Sequence, residues 1–146
     1  MKMEERNEIM TQVRKDDAVM AIEGLTGEVT TSFYSGKAET ADEKLNLYDA
    51  VQNSKHKMKE IINTPFTVKD VYAEVVTLAD GTKAPRVVLI SPDGDSVTCV
   101  SKSVLGSLQK LFAIFGQPPY EDGITVIPRQ ISTKNGQAYT LEIVRK

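Results

Sequence analysis

One strongly amphipathic helix pattern, set among short strand patterns, constrains the fold of this chain more than any other feature. The pattern lies in VSKSVLGSLQKLFAIFGQPPY (100–120), where apolar residues recur at the spacing of one helical face: Val104, Leu105, Leu108, Leu111, Phe112 and Phe115. Ser101 or Ser103 can cap the start of this helix. Gly116 stands where a helix-ending glycine belongs, and the two prolines that follow prevent continuation. The spacing predicts a helix of about three turns packed on a core.

Five strand patterns surround this helix, three before it and two after it. They are recognised by β-branched residues and bounding turns, and they cover 66–78, 85–90, 96–101, 124–127 (extending towards 131) and 138–144. This order is that of an OB-fold barrel, in which the helix closes one end, although other small barrels and α+β sheets share it. We therefore expect a mainly β, OB-fold-like barrel with a helix between strands three and four.

The residues before the barrel predict an N-terminal extension made of a strand, a second strand and a helix. The strands are expected over 18–23 and 28–35. A capping box from Thr40 to Glu43 predicts a helix over about 41–62, which a break near Asn53-Ser54 can interrupt. The chain of 146 residues suits a single domain. Within it we expect a mobile segment (1–17), the extension (18–64) and the barrel core (65–146).

Charge is unevenly distributed along the chain. The net charge is −2, which argues mildly against a nucleic-acid binder. Residues 1–95 hold 12 basic and 17 acidic residues, whereas residues 96–146 hold six basic and three acidic ones. The absence of a long apolar run and of a signal-peptide core predicts a protein without a membrane span, and the single cysteine predicts a reducing cytoplasm.

Catalytic chemistry has little support in the sequence. His56 is the only histidine and is expected on a charged helix surface, and Cys99 is expected as a buried, inert thiol. Asp93 and Asp95 flank a glycine turn without the further ligands of a calcium loop. Phosphate-binding and hydrolase motifs do not occur. We therefore expect no enzyme, no metal and no cofactor.

Several segments carry a resemblance to a known family. They are VSKSVLGSLQKLFAIFGQPPYEDGITV (100–126), DVYAEVVTL (70–78), RVVLISPDG (86–94) and LNLYDAVQNSKHKMKEIINTPFTVKD (45–70). Through them the chain resembles the small single-stranded DNA-binding proteins of phages and prophages of Gram-positive bacteria. The resemblance covers roughly residues 40–145 and rests on residues that specify the fold. It implies an OB-like fold that coats single-stranded DNA in replication or recombination. The basic ending LEIVRK departs from the acidic tail of cellular relatives, so recruitment of partners through such a tail is not implied.

Strand parity and charge nominate the contact residues. Sequence-tolerant binding of a single strand needs a basic groove and aromatic faces on which bases stack. Val71, Ala73 and Val75 are assigned to the core, which leaves Phe66, Asp70, Tyr72 and Glu74 on the wet face. Tyr72 is thus the stacking candidate, although its acidic neighbours count against it. Tyr139 shares parity with Leu141 and is expected to pack in the core.

Arginines and lysines on strands and hairpins are the candidates for phosphate contacts. Arg86 is expected on the outward face beside Val88 and Ile90, where it can pair with phosphate or simply remain solvated. The other candidates are Lys83 in the first hairpin, Lys102 at the helix entrance, Arg129 late in strand four and Lys134 at the last hairpin. The KHKMK run (55–59) is expected as the solvated face of a helix.

Two functions remain open at this point. The first is sequence-tolerant, non-catalytic binding of single-stranded DNA, with phage replication or recombination proteins as further partners and with self-association left open. The alternative is a protein-interaction module of a replication or recombination complex, which the outward Val88 and Ile90 favour.

Overall fold

The computed structural model describes residues 17–27, 30–134 and 136–144, and its strands form two sheets. Within these residues the α-helices are α1 (Asp17–Thr26), α2 (Ala41–Gln52) and α3 (Lys102–Phe115). The strands are β1 (Ser32–Tyr34), β2 (His56–Lys57), β3 (Phe66–Val68), β4 (Asp70–Thr77), β5 (Lys83–Ile90), β6 (Ser96–Val100), β7 (Ile124–Thr133) and β8 (Gly136–Ile143). A 3-10 helix covers Met58–Ile61. The prediction of a mainly β protein is thus confirmed.

The described strands form two sheets and not one closed barrel. The larger sheet has the order β1-β4-β5-β6-β2, and the smaller has the order β3-β7-β8. Every pairing is antiparallel except that of β2 with β6, which is parallel. Because β8 pairs only with β7, the two sheets stay open between β6 and β8. One end of the β6 edge therefore meets a cleft instead of a neighbouring strand.

The prediction of one long strand over 66–78 is wrong, because the chain passes from the smaller sheet to the larger one at Lys69. The Lys69 N–H donates to the carbonyl of Ile90, and its carbonyl accepts from the Tyr120 N–H. This crossing shifts the alternation of side chains, so that Val68 and Val71 are both fully buried. Phe66 and Asp70, which were expected on the wet face, are buried as well. Strand parity fails across such a junction because it holds only within one continuous strand.

Helix α3 confirms the prediction for the most patterned stretch. The Ser101 hydroxyl accepts a hydrogen bond from the Val104 N–H, and Gly116 ends the helix with φ 89°. The apolar stripe is buried as far as Phe112, whereas Phe115 is exposed. The hydroxyls of Ser103 and Ser107 accept from the N–H groups of Tyr139 and Leu141, so α3 occupies the edge of β8. The helix thus packs between the two sheets.

The predicted strand over 18–23 is wrong, because this segment belongs to α1. Its buried side chains are Ala18, Val19, Ile22 and Leu25, which is a helical spacing that a window of six residues is too short to reveal. The strand predicted over 28–35 is reduced to β1, and residues 28–29 lie outside the described residues. The segment predicted to be mobile (1–17) also lies outside them, except for Asp17, which begins α1.

The helix predicted over about 41–62 is correct only for its first half. The capping box is present: the Thr40 hydroxyl accepts from the Glu43 N–H, and the Glu43 carboxylate accepts from the Thr40 N–H. The break at Asn53 is present too, and α2 ends at Gln52. Beyond it, β2 pairs with β6 and Met58 is buried in the core. Burial of Met58 in the core and pairing with β6 override the helical pattern here.

Within the described residues, no helix has both the length and the apolar character that crossing a bilayer requires.

Candidate nucleic-acid interface

A cleft of about 310 Å³ opens where the end of β6, the 3-10 helix and β8 come together. We call it the cationic cleft. Its described lining residues are Lys57, Met58, Lys59, Arg86, Thr98, Cys99, Val100 and Tyr139. This lining has three positive side chains and one aromatic ring, and no carboxylate is among these described residues. The cleft thus offers what a phosphate and a base need side by side.

Arg86 is the most constrained cation of this cleft. It lies on the central strand β5, and its side chain is 18% exposed. Nη1 donates to Glu74 Oε2 at 3.0 Å, and Nη2 donates to the carbonyl of Val51 at 2.5 Å. A guanidinium carries five N–H donors, so further donors remain for a ligand. Arg86 therefore holds the end of α2, where a cation is favourable for the helix dipole.

Tyr139 lies in the middle of the β7–β8 hairpin, where it pairs with Gln130. Its N–H donates to the Ser103 hydroxyl at 3.2 Å, which fixes the hairpin on the first turn of α3. Lys102 begins the same turn and is exposed, and Lys134 is exposed in the hairpin turn. The Ser101 N–H also donates to the carbonyl of Pro85, the residue before Arg86. The structure thus places Lys102 beside the chain that carries Arg86.

Tyr72 lies on the outer face of the larger sheet, the face that also carries Arg86 and Thr98. It is directly opposite Tyr34 on β1 and Val88 on β5. Its hydroxyl donates to Glu74 Oε1 at 3.1 Å. Burial, followed by the charge of Glu74, raises the pKa of Tyr72. Tyr72 and Arg86 therefore share one carboxylate, but Tyr72 does not line the cationic cleft.

Two other predicted contacts already have partners within the chain. Lys83 Nζ donates to the Thr77 hydroxyl at 3.0 Å across the β4–β5 hairpin. Arg129 Nη1 donates to Asn63 Oδ1 at 2.7 Å, and its Nε lies 3.3 Å from Glu142 Oε2. Neither residue lines the cationic cleft. Contact of these two residues with DNA stays a prediction.

The sequence interpretation missed Lys57, Lys59 and Tyr139 as members of one site. The KHKMK run does not form a helix face: Met58 is buried and the lysines on either side of it are exposed. The alternation of polar and apolar residues in this run is visible in the sequence, but the helical pattern of the preceding residues favoured a helix. Tyr139 is half-buried, so it packs against the core and also lines the cleft.

The two groups with reactive side chains are placed in ordinary structural roles. His56 lies on β2, not on a helix, and its Nε2 is 3.1 Å from Asp95 Oδ1. Cys99 packs against the core, as predicted, and burial raises its pKa to about 12. Among the described residues, no three His, Cys, Asp or Glu side chains are grouped in a way that would hold a metal ion.

A second cleft, of about 480 Å³, lies between α2 and the larger sheet. We call it the mixed cleft. Its charged lining residues are the three lysines Lys37, Lys55 and Lys69 and the four carboxylates Glu43, Asp49, Asp70 and Asp93. Tyr34 is its aromatic residue, and burial, followed by Asp70 and Glu43, raises the pKa of this tyrosine. Carboxylates outnumber lysines here, so phosphate is less favoured than in the cationic cleft.

The outer face near α2 also corrects the expectation of outward aliphatic side chains. Val88 is fully buried, and Ile90 is half-buried in the lining of the mixed cleft. The cause is α2, which lies over β5 and β6. These two residues therefore do not form the exposed aliphatic surface that favoured a protein-interaction module.

One comparison with known proteins gives a match. A family model described as phage single-stranded DNA-binding protein matches residues 24–144, which include every described lining residue of both clefts. No curated protein and no solved structure matches the chain.

Proposed function

Because the chain belongs to the family of phage single-stranded DNA-binding proteins, we propose that it coats single-stranded DNA in phage replication or recombination, through the cationic cleft. Family membership makes it a non-catalytic DNA-binding protein. Beyond family membership, the proposal states where the DNA strand binds and that binding tolerates any sequence. It also places replication or recombination in the cytoplasm of the bacterial host. Phage replication or recombination proteins are the proposed partners on the coated strand.

The observation that carries this proposal is the charge of the cationic cleft. Lys57, Lys59 and Arg86 line it together with Tyr139, and the described lining holds no carboxylate. Phosphates attract lysine and arginine without regard to sequence. Every base has a face that can stack on an aromatic ring, at about 1–3 kcal/mol per base. The pairing of charge and ring therefore supports sequence-tolerant binding.

The predicted contacts form two groups, according to whether the elements that carry them border this cleft. Arg86 lines it, and Lys102 and Lys134 belong to the α3 start and the hairpin on which Tyr139 stands. We propose that these three carry the strand into and out of the cleft. Lys83 and Arg129 act, in this proposal, as weaker outlying contacts because each already has a partner within the chain.

We also propose that the fold is an opened OB-like fold. The chain order from β4 through β5, β6, α3, β7 and β8 matches that of an OB barrel with its helix between strands three and four. In a closed barrel of this type the third and fifth strands would be neighbours. Here β6 and β8 flank the cationic cleft instead, which supports the cleft as the binding groove.

Fluorescence anisotropy with labelled oligonucleotides tests the function. We expect tight binding of single-stranded oligothymidylate and mixed-sequence strands of equal length, and weak binding of duplex. The affinity for single strands should fall steeply with added salt, because phosphate contacts release counterions. Equal binding of duplex and single strand at low salt would overturn the proposal, and so would the absence of binding. A flat response to salt would exclude the cationic cleft.

A further inference from the structure

We infer that α2 is a removable cover over a second face for single-stranded DNA, and that DNA in the cationic cleft helps to release it. The second face is the outer side of the larger sheet, where α2 lies over β5 and β6, Tyr34 lines the mixed cleft, and Tyr72 is the neighbour of Tyr34. This inference rests on the proposed function, since it assumes that a strand enters the cationic cleft.

The first argument is the loose seating of α2. None of its residues is buried, although α2 lies over the larger sheet. The mixed cleft of about 480 Å³ opens between part of the helix and the sheet. On the opposite side of α2, Leu45 and Tyr48 are each 67% exposed. The helix covers Val88 and part of Ile90 of the sheet but buries no side chain of its own, so its seating stabilises it less than a buried apolar stripe would.

The second argument is charge. Helix α2 carries Asp42, Glu43 and Asp49 against one lysine, so it is acidic. It supplies two of the four carboxylates of the mixed cleft, Glu43 and Asp49. When α2 leaves, the remaining lining keeps three lysines against two carboxylates. The acidic helix thus occupies the place of an anion, and its departure makes the same face attractive to phosphate.

The third argument is the surface beneath and beside the cover. Tyr34 and Tyr72 are direct neighbours across β1 and β4, on the outer face. Two adjacent rings on one strand face are a platform on which bases stack. Lys37 and Lys69 lie in the cleft that Tyr34 lines. Uncovered, this face repeats the combination of rings and cations found in the cationic cleft.

The fourth argument is the bond that joins the two sites. Arg86 lines the cationic cleft, and the same guanidinium donates to the Val51 carbonyl at the end of α2. A phosphate bound by the remaining donors of Arg86 draws the guanidinium towards the cationic cleft and away from the neutral Val51 carbonyl, because a charged acceptor forms the stronger bond. Binding in the first site therefore weakens the attachment of the cover over the second.

Hydrogen exchange measured with and without oligothymidylate tests this release. We expect amides of 55–59 and 96–100 to exchange more slowly with DNA of about 16 nucleotides, near the upper site size of one OB fold. In the same sample, amides of 41–52 should exchange faster. Slower exchange in the cationic cleft with unchanged or slower exchange in α2 would overturn the cover but leave the proposed function standing. No change in either region, together with no binding, would overturn both.

A capping variant tests the cover without replacing a lining residue of either cleft. Thr40→Ala removes the N-cap of α2, so its amides should exchange about fivefold faster. Affinity for an oligonucleotide of about 16 nucleotides should rise by up to about fivefold, whereas affinity for one of about four nucleotides should not change. Thr82→Ala is the matched control, since it removes a threonine hydroxyl bonded to Asp80 in a distant turn. Faster exchange in α2 without a gain for the longer strand would contradict the inference.

Arg86→Lys tests the link between the sites. Lysine keeps a positive charge in the cationic cleft but lacks the fork that holds Glu74 and Val51 together. We expect α2 of this variant to exchange fast without DNA and to show no further increase with it. If α2 stays protected and still responds to DNA, Arg86 is not the link.

Discussion

The two clefts beside the end of α2 have opposite signs of lining charge, although both are a few hundred Å³ in volume. Residues 55 and 57 of one short segment line different clefts: Lys55 the mixed cleft and Lys57 the cationic cleft. The cationic cleft has three positive side chains and no carboxylate among its described lining residues, whereas carboxylates outnumber lysines in the mixed cleft. A chain with a net charge of −2 can therefore present a cationic groove. Local arrangement, not total charge, governs attraction of a single strand.

The largest expected effect comes from a core residue that lines neither cleft. Leu108 of α3 is fully buried. Leu108→Ala should lower the free energy of unfolding by about 2–5 kcal/mol, because it removes buried apolar atoms and leaves a cavity. Chemical denaturation measures this change. DNA affinity of the folded fraction should stay unchanged, and a parallel loss of affinity would show that α3 itself takes part in binding.

The aromatic residue of the cationic cleft gives the next effect. Tyr139→Ala should weaken binding of a short oligothymidylate by about 5–150-fold, which corresponds to about 1–3 kcal/mol for one lost stacking contact. Tyr139→Phe keeps the ring and should bind as the unaltered protein does. Tyr48→Ala, on the exposed side of α2, is the control in anisotropy titrations. Equal affinities of Tyr139→Ala and Tyr48→Ala would remove Tyr139 from the site.

Paired lysine variants compare the two clefts directly. Lys57→Gln with Lys59→Gln should reduce the slope of log affinity against log salt by about 1.4, since each phosphate contact on a single strand contributes about 0.7. Lys37→Gln with Lys69→Gln, in the mixed cleft, should leave that slope unchanged for an oligonucleotide of about four nucleotides. Equal losses of slope for both pairs on this short strand would abolish the distinction between the clefts.

The smallest effect concerns the thiol in the wall of the cationic cleft. Burial raises the pKa of Cys99 from 9.0 to about 12. A raised pKa of a group that ionises to an anion means that the folded state disfavours the thiolate. The stability it contributes is therefore full below pH about 9 and is lost as the pH rises towards 12. We expect the midpoint of chemical denaturation to fall over this pH range, and the midpoint of the Cys99→Ala variant to fall less.

Alkylation gives a second measurement of the same thiol. At pH 8 Cys99 should react slowly with iodoacetamide, because the thiolate is the reacting form. Bound oligothymidylate should slow the reaction further. Rapid alkylation of the folded protein would show that the cleft wall is more open than its burial indicates.

The fold was predictable where a pattern is local and uninterrupted. The α3 stripe with its serine cap and terminal glycine, the capping box of α2 and the β5 and β6 strands all appear where the sequence places them. The failures lie at junctions. Lys69 carries the chain from one sheet to the other, and Met58 takes the segment after α2 into the core. Neither event changes the local composition, so no short window reveals it.

The site was less predictable than the fold. Arg86 was nominated from strand parity, and it does lie on the outer face. Its bonds to Glu74 and Val51 join residues 12 and 35 positions apart, which no spacing rule anticipates. Lys59 and Tyr139 meet across 80 positions of sequence in the same cleft. Their grouping depends on the absence of pairing between β6 and β8, which is a property of how the two sheets are arranged.

The sequence by itself determined the mainly β class, the helix α3 with its buried apolar stripe between β6 and β7, and the likeness to a DNA-binding family. These follow from periodicity, caps and turns, which act over a few residues. Only the tertiary structure decided where the positive charges gather and which face α2 covers. Those outcomes depend on contacts between residues far apart in the chain, because the sign of a surface is set by neighbours in space and not by neighbours in sequence.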